Sequence, residues 1–284
     1  VRRNGALSRG FMSLCFLFLY APILILIVFS FNEANSRTVW GGFSLTWYTQ
    51  LFHNTRILNA LATTLAVSAL AAVISTVAGT AAAIGFRNLG KRFRGICLTV
   101  NNIPLTNADI ITGVSMMLLF VLAVDAWNGS LGSFLDVKLS MGFWSLLVAH
   151  ITFDIPYVIL SVNPKLRQLD PNIYEAAQDL GDHGFHAFRA VVLPEIMPGV
   201  INGLIMAFTL SIDDFVISYF TAGARTETLS MVVYSMARKR VSPEINALST
   251  IMFVVVVALM VVVNLRQARQ EHLSRQRQKT LTAS

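Results

Sequence analysis

Charge is what this chain has least of. Only 13% of its 284 residues are Asp, Glu, Lys or Arg, against roughly 25% in an ordinary soluble domain. So thin a polar coat cannot cover a water-soluble globule. Disorder is excluded too, since it needs low hydrophobicity and high charge, whereas 55% of this chain is hydrophobic and its mean hydropathy is +0.62. Cysteine is almost missing. Cys15 and Cys97 cannot build a disulfide framework, and both lie in or beside apolar runs, where a lone thiol behaves as a small hydrophobe. The motifs of soluble catalysis are missing as well: there is no H-E-x-x-H, C-x-x-C or G-x-S-x-G, and the five histidines are scattered without ligand spacing. Gly85 to Lys91 reads G-x-x-x-x-G-K, but Arg92 stands where a P-loop needs Ser or Thr for magnesium. An apolar helix also precedes it in place of a strand. No catalytic residue, metal site or cofactor is therefore expected in this chain.

What the sequence has in abundance is long apolar runs. A membrane span needs about 20 predominantly apolar residues, and six candidates meet that: 11–31, 60–86, 96–124, 141–162, 196–220 and 245–265. The first follows Arg2, Arg3 and Arg9 as a signal peptide would. It exceeds a signal h-region and no small-x-small cleavage site follows, so an uncleaved span is expected. The second is rich in Ala, Gly, Ser and Thr, the residues that let membrane helices approach closely. Asn101, Asn102, Pro104, Asn107 and Asp109 interrupt the third. The expected fold is an all-α polytopic bundle forming one transmembrane domain. The net charge of +7 does not point to nucleic acid, because the basic residues gather at the ends of the apolar runs. Fifteen of the 22 fall on the side of the two termini and of the second-to-third and fourth-to-fifth loops, which makes that side cytoplasmic. Arg238-Lys239-Arg240 is left on the outside, either as a solvated charged turn or as a contact for an external partner.

Acids inside such spans need an explanation. A carboxylate at the bilayer centre costs about 2.5–3.5 kcal/mol on insertion scales and faces an interior cavity or a partner. Asp213 lies 14 residues past Gly199, and Asp109 lies 14 past Gly95. At about 1.5 Å per residue both reach roughly 21 Å into a core of about 30 Å. No Lys or Arg within the spans can neutralise them. Two readings stand for Asp109, Asp213 and Asp214: helix caps and interhelical bonds, or contacts for an organic cation along a pathway. His150 and Asp154, one turn apart on the fourth span, read as a buried polar pair or as pathway lining. Trp40, Trp47 and Tyr48 read as an interfacial belt or as a cation–π surface at the outer mouth.

The loop 163–195 has structure of its own. Asp170-Pro171 is a helix start; Ile173, Ala176, Ala177 and Leu180 make an apolar face; Gly181 is a stop. Phe185, Phe188, Val191 and Val192 begin a second face that ends near Pro194. Two short amphipathic helices cannot bury both faces by themselves. Either the bilayer or another protein covers them, and three basic against five acidic residues favour a protein.

Glu175-Ala176-Ala177-x-x-x-Gly181 followed by Val191-x-Leu193-Pro194 resembles the EAA loop of ABC importer permeases, with Val191 where that pattern usually has Ile. Leu210-Ser211-Ile212-Asp213-Asp214, Ser242 to Leu248, Val39 to Phe43 and Thr46-Trp47-Tyr48 are similar to the C-subunit type of spermidine/putrescine permease. The resemblance implies a type I importer permease whose loop, through Glu175, Ala176, Ala177, Gly181, Leu193 and Pro194, docks onto a cytoplasmic ATPase. It also implies a second six-span permease, an ATPase dimer that holds the ATP and magnesium, and an external polyamine-binding protein. Asp109, Asp154, Asp213, Asp214 and Trp47 are then the expected substrate pathway. A different cargo such as iron(III), or an ion-coupled secondary carrier, are the alternatives. The loop argues against the carrier, which has no use for it.

Overall fold

The computed structural model describes residues 5–34, 39–130, 138–170, 184–239, 244–258 and 261. Its helices are α1 (Gly5–Phe29), α2 (Thr46–His53), α3 (Thr55–Arg87), α4 (Lys91–Thr106), α5 (Asp109–Gly129) and α6 (Phe143–Gln168). They continue with α7 (Gly184–Ala187), a π-helical turn (Phe188–Val192), α8 (Leu193–Asp213), α9 (Val216–Thr221), α10 (Leu229–Lys239) and α11 (Glu244–Ala258). Among the described residues β structure is limited to one antiparallel bridge, Asn32 with Phe43. The fold is all-α. Five helices are long and apolar enough to cross a membrane, and α11 is a shorter apolar helix.

The chain forms two compact units, Arg56–Val232 and the pair Val1–Thr55 with Val233–Ser284. In the first, α6 is the centre: over half of its most apolar window is buried, although it carries His150 and Asp154 on the inside. Glycine decides how closely its neighbours approach. A Cβ at Gly79 of α3 would sit 2.8 Å from Val158, and one at Gly203 of α8 would sit 3.2 Å from the same side chain. A Cβ at Gly199, one turn before Gly203, would meet the Ser161 carbonyl at 2.9 Å. The Gly199-x-x-x-Gly203 face of α8 is thus a small-xxx-small seam on the 158–162 face of α6. Val158, Ile159, Val162, Leu166, Ile196 and Ala207 form the core there. On α3 the buried positions Ala60, Thr64, Val67, Ser68, Ala71, Ala72, Ser75, Thr76 and Gly79 repeat at helical spacing, giving one narrow small-residue stripe.

Two spans differ from their expected form, both at polar residues. The third, expected over 96–124, is two helices parted at Asn107 and Ala108, whose backbones are extended. Lys91, Arg92, Arg94, Asn101 and Asn102 make α4 too polar to span, and the Thr106 hydroxyl bonds back to the Ile103 carbonyl in its last turn. Only α5 is apolar enough to cross. Asp109 therefore opens a helix and does not lie deep within one that starts near Gly95. The fifth, expected over 196–220, begins earlier and breaks at Asp214 before α9 resumes. Its start is the second correction. The face expected to end near Pro194 runs through a π-helical turn into α8. Leu193 N–H reaches back to the Phe188 carbonyl, and this wider turn absorbs the hydrogen bond that Pro194 cannot donate.

In the other unit, α1 has no buried residue in its apolar window; its Phe and Leu side chains face outward, as lipid-facing residues do. The segment after it is tied by Asn32, which is fully buried. The Asn32 amide donates to the Val39 carbonyl at 2.8 Å and its side-chain oxygen accepts from Gly41 N–H at 2.8 Å. Phe31 stacks on Phe43 with ring centroids 5.4 Å apart.

Candidate translocation site

Asp109, Asp213 and Asp214 of the Arg56–Val232 unit lie at two helix interruptions, and Asp154 lies on one intact helix. At the first, Asp109 is the exposed first residue of α5, where the helix dipole favours a carboxylate. At the second, Asp213 is the exposed last residue of α8, and Asp214 follows with its side chain 8% exposed. Asp214 caps α9: its carboxylate accepts from Ile217 N–H at 3.2 Å and Ser218 N–H at 2.7 Å. The two breaks lie on elements that pack together. A Cβ at Gly113 of α5 would lie 3.0 Å from Phe220 and 3.4 Å from the Val216 carbonyl of α9.

The intact helix α6 faces the second break with His150, which is 1% exposed. Its Nδ1 lies 2.6 Å from Ser211 Oγ on α8, and its Nε2 lies 3.1 Å from Ser218 Oγ on α9. The Asp214 carboxylate is 3.7 Å from Nε2. One turn on, Asp154 is completely buried, and neither carboxylate oxygen has a hydrogen-bond partner among the described residues. Asp214 is near enough to act electrostatically on Asp154, and Asp109 and Asp154 both act on the Tyr157 hydroxyl. Asp154 and Asp214 are thus electrostatic neighbours, and Asp109 and Asp154 are both within electrostatic reach of Tyr157. Asp213, exposed at the end of α8, takes part in neither of these interactions. Adjacent residues on one regular helix would diverge by about 100°, but here the helix ends between these two, and each keeps its own environment.

The remaining expected residues lie elsewhere. Trp47 belongs to the other unit, where its indole N–H donates to the Asn32 carbonyl at 2.7 Å, leaving only the ring face for a cation. Tyr48 bonds Ser30 Oγ at 2.7 Å. Glu175, Ala176, Ala177 and Gly181 fall outside the described residues. Leu193 is half-buried against the α6–α8 core, and Pro194 is exposed at the start of α8. Sequence reasoning missed Ser211, Ser218 and Tyr157 as site residues. Ser211 and Ser218 flank Asp214 by three and four residues, spacing that would have marked them had the helix break been foreseen.

Chemically, the arrangement offers carboxylates within the protein, and among the described residues none of Asp109, Asp154, Asp213 and Asp214 forms an ion pair with a Lys or Arg. An Arg–carboxylate pair does form at the surface, between Arg56 and Glu227, bidentate at 2.7 Å and exposed. The elements that follow the two interruptions, α5 and α9, pack against one another.

Residues 75–276 match the family described as "Binding-protein-dependent transport system inner membrane component". The chain is 40% identical over 241 residues to the putrescine transport system permease protein PotI of Escherichia coli K12, covering 83% of this chain and 82% of that one. It is 38% identical over 261 residues to the spermidine/putrescine transport system permease protein PotC of the same organism, with 90% and 92% coverage. Among solved structures, a bacterial ABC transporter that imports the acidic polysaccharide alginate superposes with a TM-score of 0.69, at 17% identity and 92% coverage of this chain. A second structure of an alginate ABC transporter, bound to its pentasaccharide-loaded periplasmic protein, gives 0.67. The chain belongs to the binding-protein-dependent transport system inner membrane component family and is a multi-pass membrane permease subunit with the ABC importer fold, not itself an enzyme.

Proposed function

We propose that this chain is one half of the translocation pathway of an ATP-driven polyamine importer, taking putrescine, spermidine or both. The observation that carries this is a set of acids, Asp109 and Asp214 at two helix breaks and the buried Asp154 on α6, with no Lys or Arg paired to any of them among the described residues, in a chain whose relatives are named for those diamines and triamines. A polyamine has ammonium groups at both ends and supplies the missing charge to several separated carboxylates. Separated acids also bind weakly enough at each to let cargo leave. Asp213 and Trp47 belong to the same path in this reading, at its more exposed positions. The Glu175, Ala176, Ala177, Gly181, Leu193 and Pro194 stretch docks on a cytoplasmic ATPase dimer, which holds the ATP and magnesium. A second, different six-span permease completes the path, an external polyamine-binding protein delivers cargo, and both termini are cytoplasmic.

Uptake of labelled putrescine and spermidine into cells that lack other polyamine importers tests this. Expression of the complete transporter should restore uptake of at least one, and ATP depletion should stop it while collapse of the proton gradient alone should not. The triple change Asp109→Asn, Asp213→Asn, Asp214→Asn should lower uptake at least tenfold with subunit assembly retained. Near-normal transport by the triple variant rejects the cation path, and uptake that follows the proton gradient rejects the ATP-driven mechanism.

A further inference from the structure

The α8–α9 break leaves Asp214 on a short non-helical link, yet its position is closely defined. Part of that definition is local: Ile217 and Ser218 N–H groups hold the carboxylate. The rest comes from α6. His150 reaches across the break and bonds both of its sides, Ser211 on the last turn of α8 at 2.6 Å and Ser218 in α9 at 3.1 Å. Ser218 Oγ in turn lies 3.3 Å from the Asp214 carbonyl, to which its hydroxyl donates. With its proton committed there, Ser218 Oγ accepts from Nε2–H, and Nδ1 accepts from the Ser211 hydroxyl, since a neutral imidazole offers one donor and one acceptor. This chain of donors fixes one tautomer and aims Nε2–H at the face of the break where Asp214 Oδ2 stands 3.7 Å away.

The imidazole is enclosed, with His150 only 1% exposed. His150, Ser211 and Ser218 are all buried, and Ala149, Phe153 and Ile217 form a core cluster around them, against which Met116, Phe120, Tyr157 and Leu210 pack. Buried polar groups that satisfy one another in a closed set specify one geometry, whereas an unsatisfied member costs its full desolvation. A single side chain from an unbroken helix therefore sets the width and angle of the gap in a broken one.

We propose that His150 is the positioning residue of the pathway: by clamping Ser211 and Ser218 on either side of the helix break, it holds the Asp214 carboxylate where cargo ammonium meets it. This deepens the polyamine reading and rests on Asp214 being a cation contact. His150 acts through Asp214, so its effect should appear in cargo affinity and should vanish when Asp214 no longer carries charge.

The test uses the complete transporter with its partner permease, ATPase and binding protein, and reads putrescine uptake as KM separately from maximal rate. His150→Phe, which keeps the ring and removes both bonds, should raise KM at least fivefold. His150→Gln, which restores a donor and an acceptor, should recover most of that loss. Asp214→Asn should also raise KM, and the His150→Phe, Asp214→Asn double variant should be no worse than Asp214→Asn by more than about twofold, the coupling expected of residues in one network. Unchanged KM in His150→Phe, or a double variant whose loss is the product of the two single losses, overturns the inference. If Asp214→Asn itself leaves KM unmoved, it is the cation-path reading that fails. Should His150→Phe not assemble, Ser211→Ala and Ser218→Ala each remove one side of the clamp, and unchanged KM in both is equally decisive against it.

Discussion

At the residue scale, Asp154 is the buried acid left without a hydrogen-bond partner among the described residues. A buried carboxylate with neither oxygen bonded costs several kcal/mol of desolvation if ionised, and a neutral acid without a partner still costs about 1–3 kcal/mol. A residue kept only for stability would not be placed this way. The expected outcome of Asp154→Asn is therefore split: putrescine uptake falls at least tenfold, while thermal stability of the purified complex holds or rises by a few degrees. Loss of stability together with uptake would instead make Asp154 a structural acid whose partner lies on another subunit. The one-turn spacing of His150 and Asp154 suggested a polar pair, but they form none: His150 bonds Ser211 and Ser218, and Asp154 has no hydrogen-bond partner among the described residues. Which groups His150 meets was not legible, because Ser211 and Ser218 come from elements more than 60 residues away. Trp47 illustrates the opposite case. Its aromatic neighbours suggested a mouth, but the hydrogen bond that fixes it goes to Asn32, an amide that composition alone gives no reason to single out.

At the scale of elements, glycine separates helices that must touch from those that need not. A Cβ at Gly199 would fall 2.9 Å from the Ser161 carbonyl and 3.2 Å from Val162 Cα, whereas Gly95 has nothing within 4 Å. Gly199→Ala should force α8 off α6 and destabilise by about 1–3 kcal/mol as overpacking does. Gly95→Ala should be neutral or slightly stabilising, since Gly costs up to about 1 kcal/mol against Ala within a helix. Thermal melting of the two variants in detergent orders them; equal melting points would mean the seam is loose. Length and hydropathy were enough to find every long apolar helix. They could not place the breaks, since a run of apolar residues reads the same whether or not the helix is continuous. The interruption at Asn107 was foreshadowed by amides and Pro104, but the one at Asp214 lies in a sequence with no proline or glycine, and a capping carboxylate creates it.

At the scale of the whole molecule, the distribution of basic residues makes a prediction that the helices alone do not. With the native Cys15 and Cys97 changed to Ser, an impermeant thiol reagent added outside should label Arg238→Cys and not Arg275→Cys. Labelling of Arg275→Cys alone would invert the orientation, and labelling of both would change the number of spans. Sequence by itself determined the class of this protein: too little charge for a soluble surface, six apolar runs, lysine and arginine asymmetry, and a loop and motifs similar to those of importer permeases. Those properties are local or additive, so each can be counted along the chain. Only the tertiary structure decided which acids share a neighbourhood. Asp213 and Asp214, adjacent in sequence, part at a helix end, while Asp214 stands beside His150 of α6 and acts on Asp154, and Asp109 and Asp154 both act on Tyr157. Proximity of that kind depends on the close approach of α6, α8 and α9 and on hydrogen bonds across a helix break, and neither leaves a periodic mark in the order of residues.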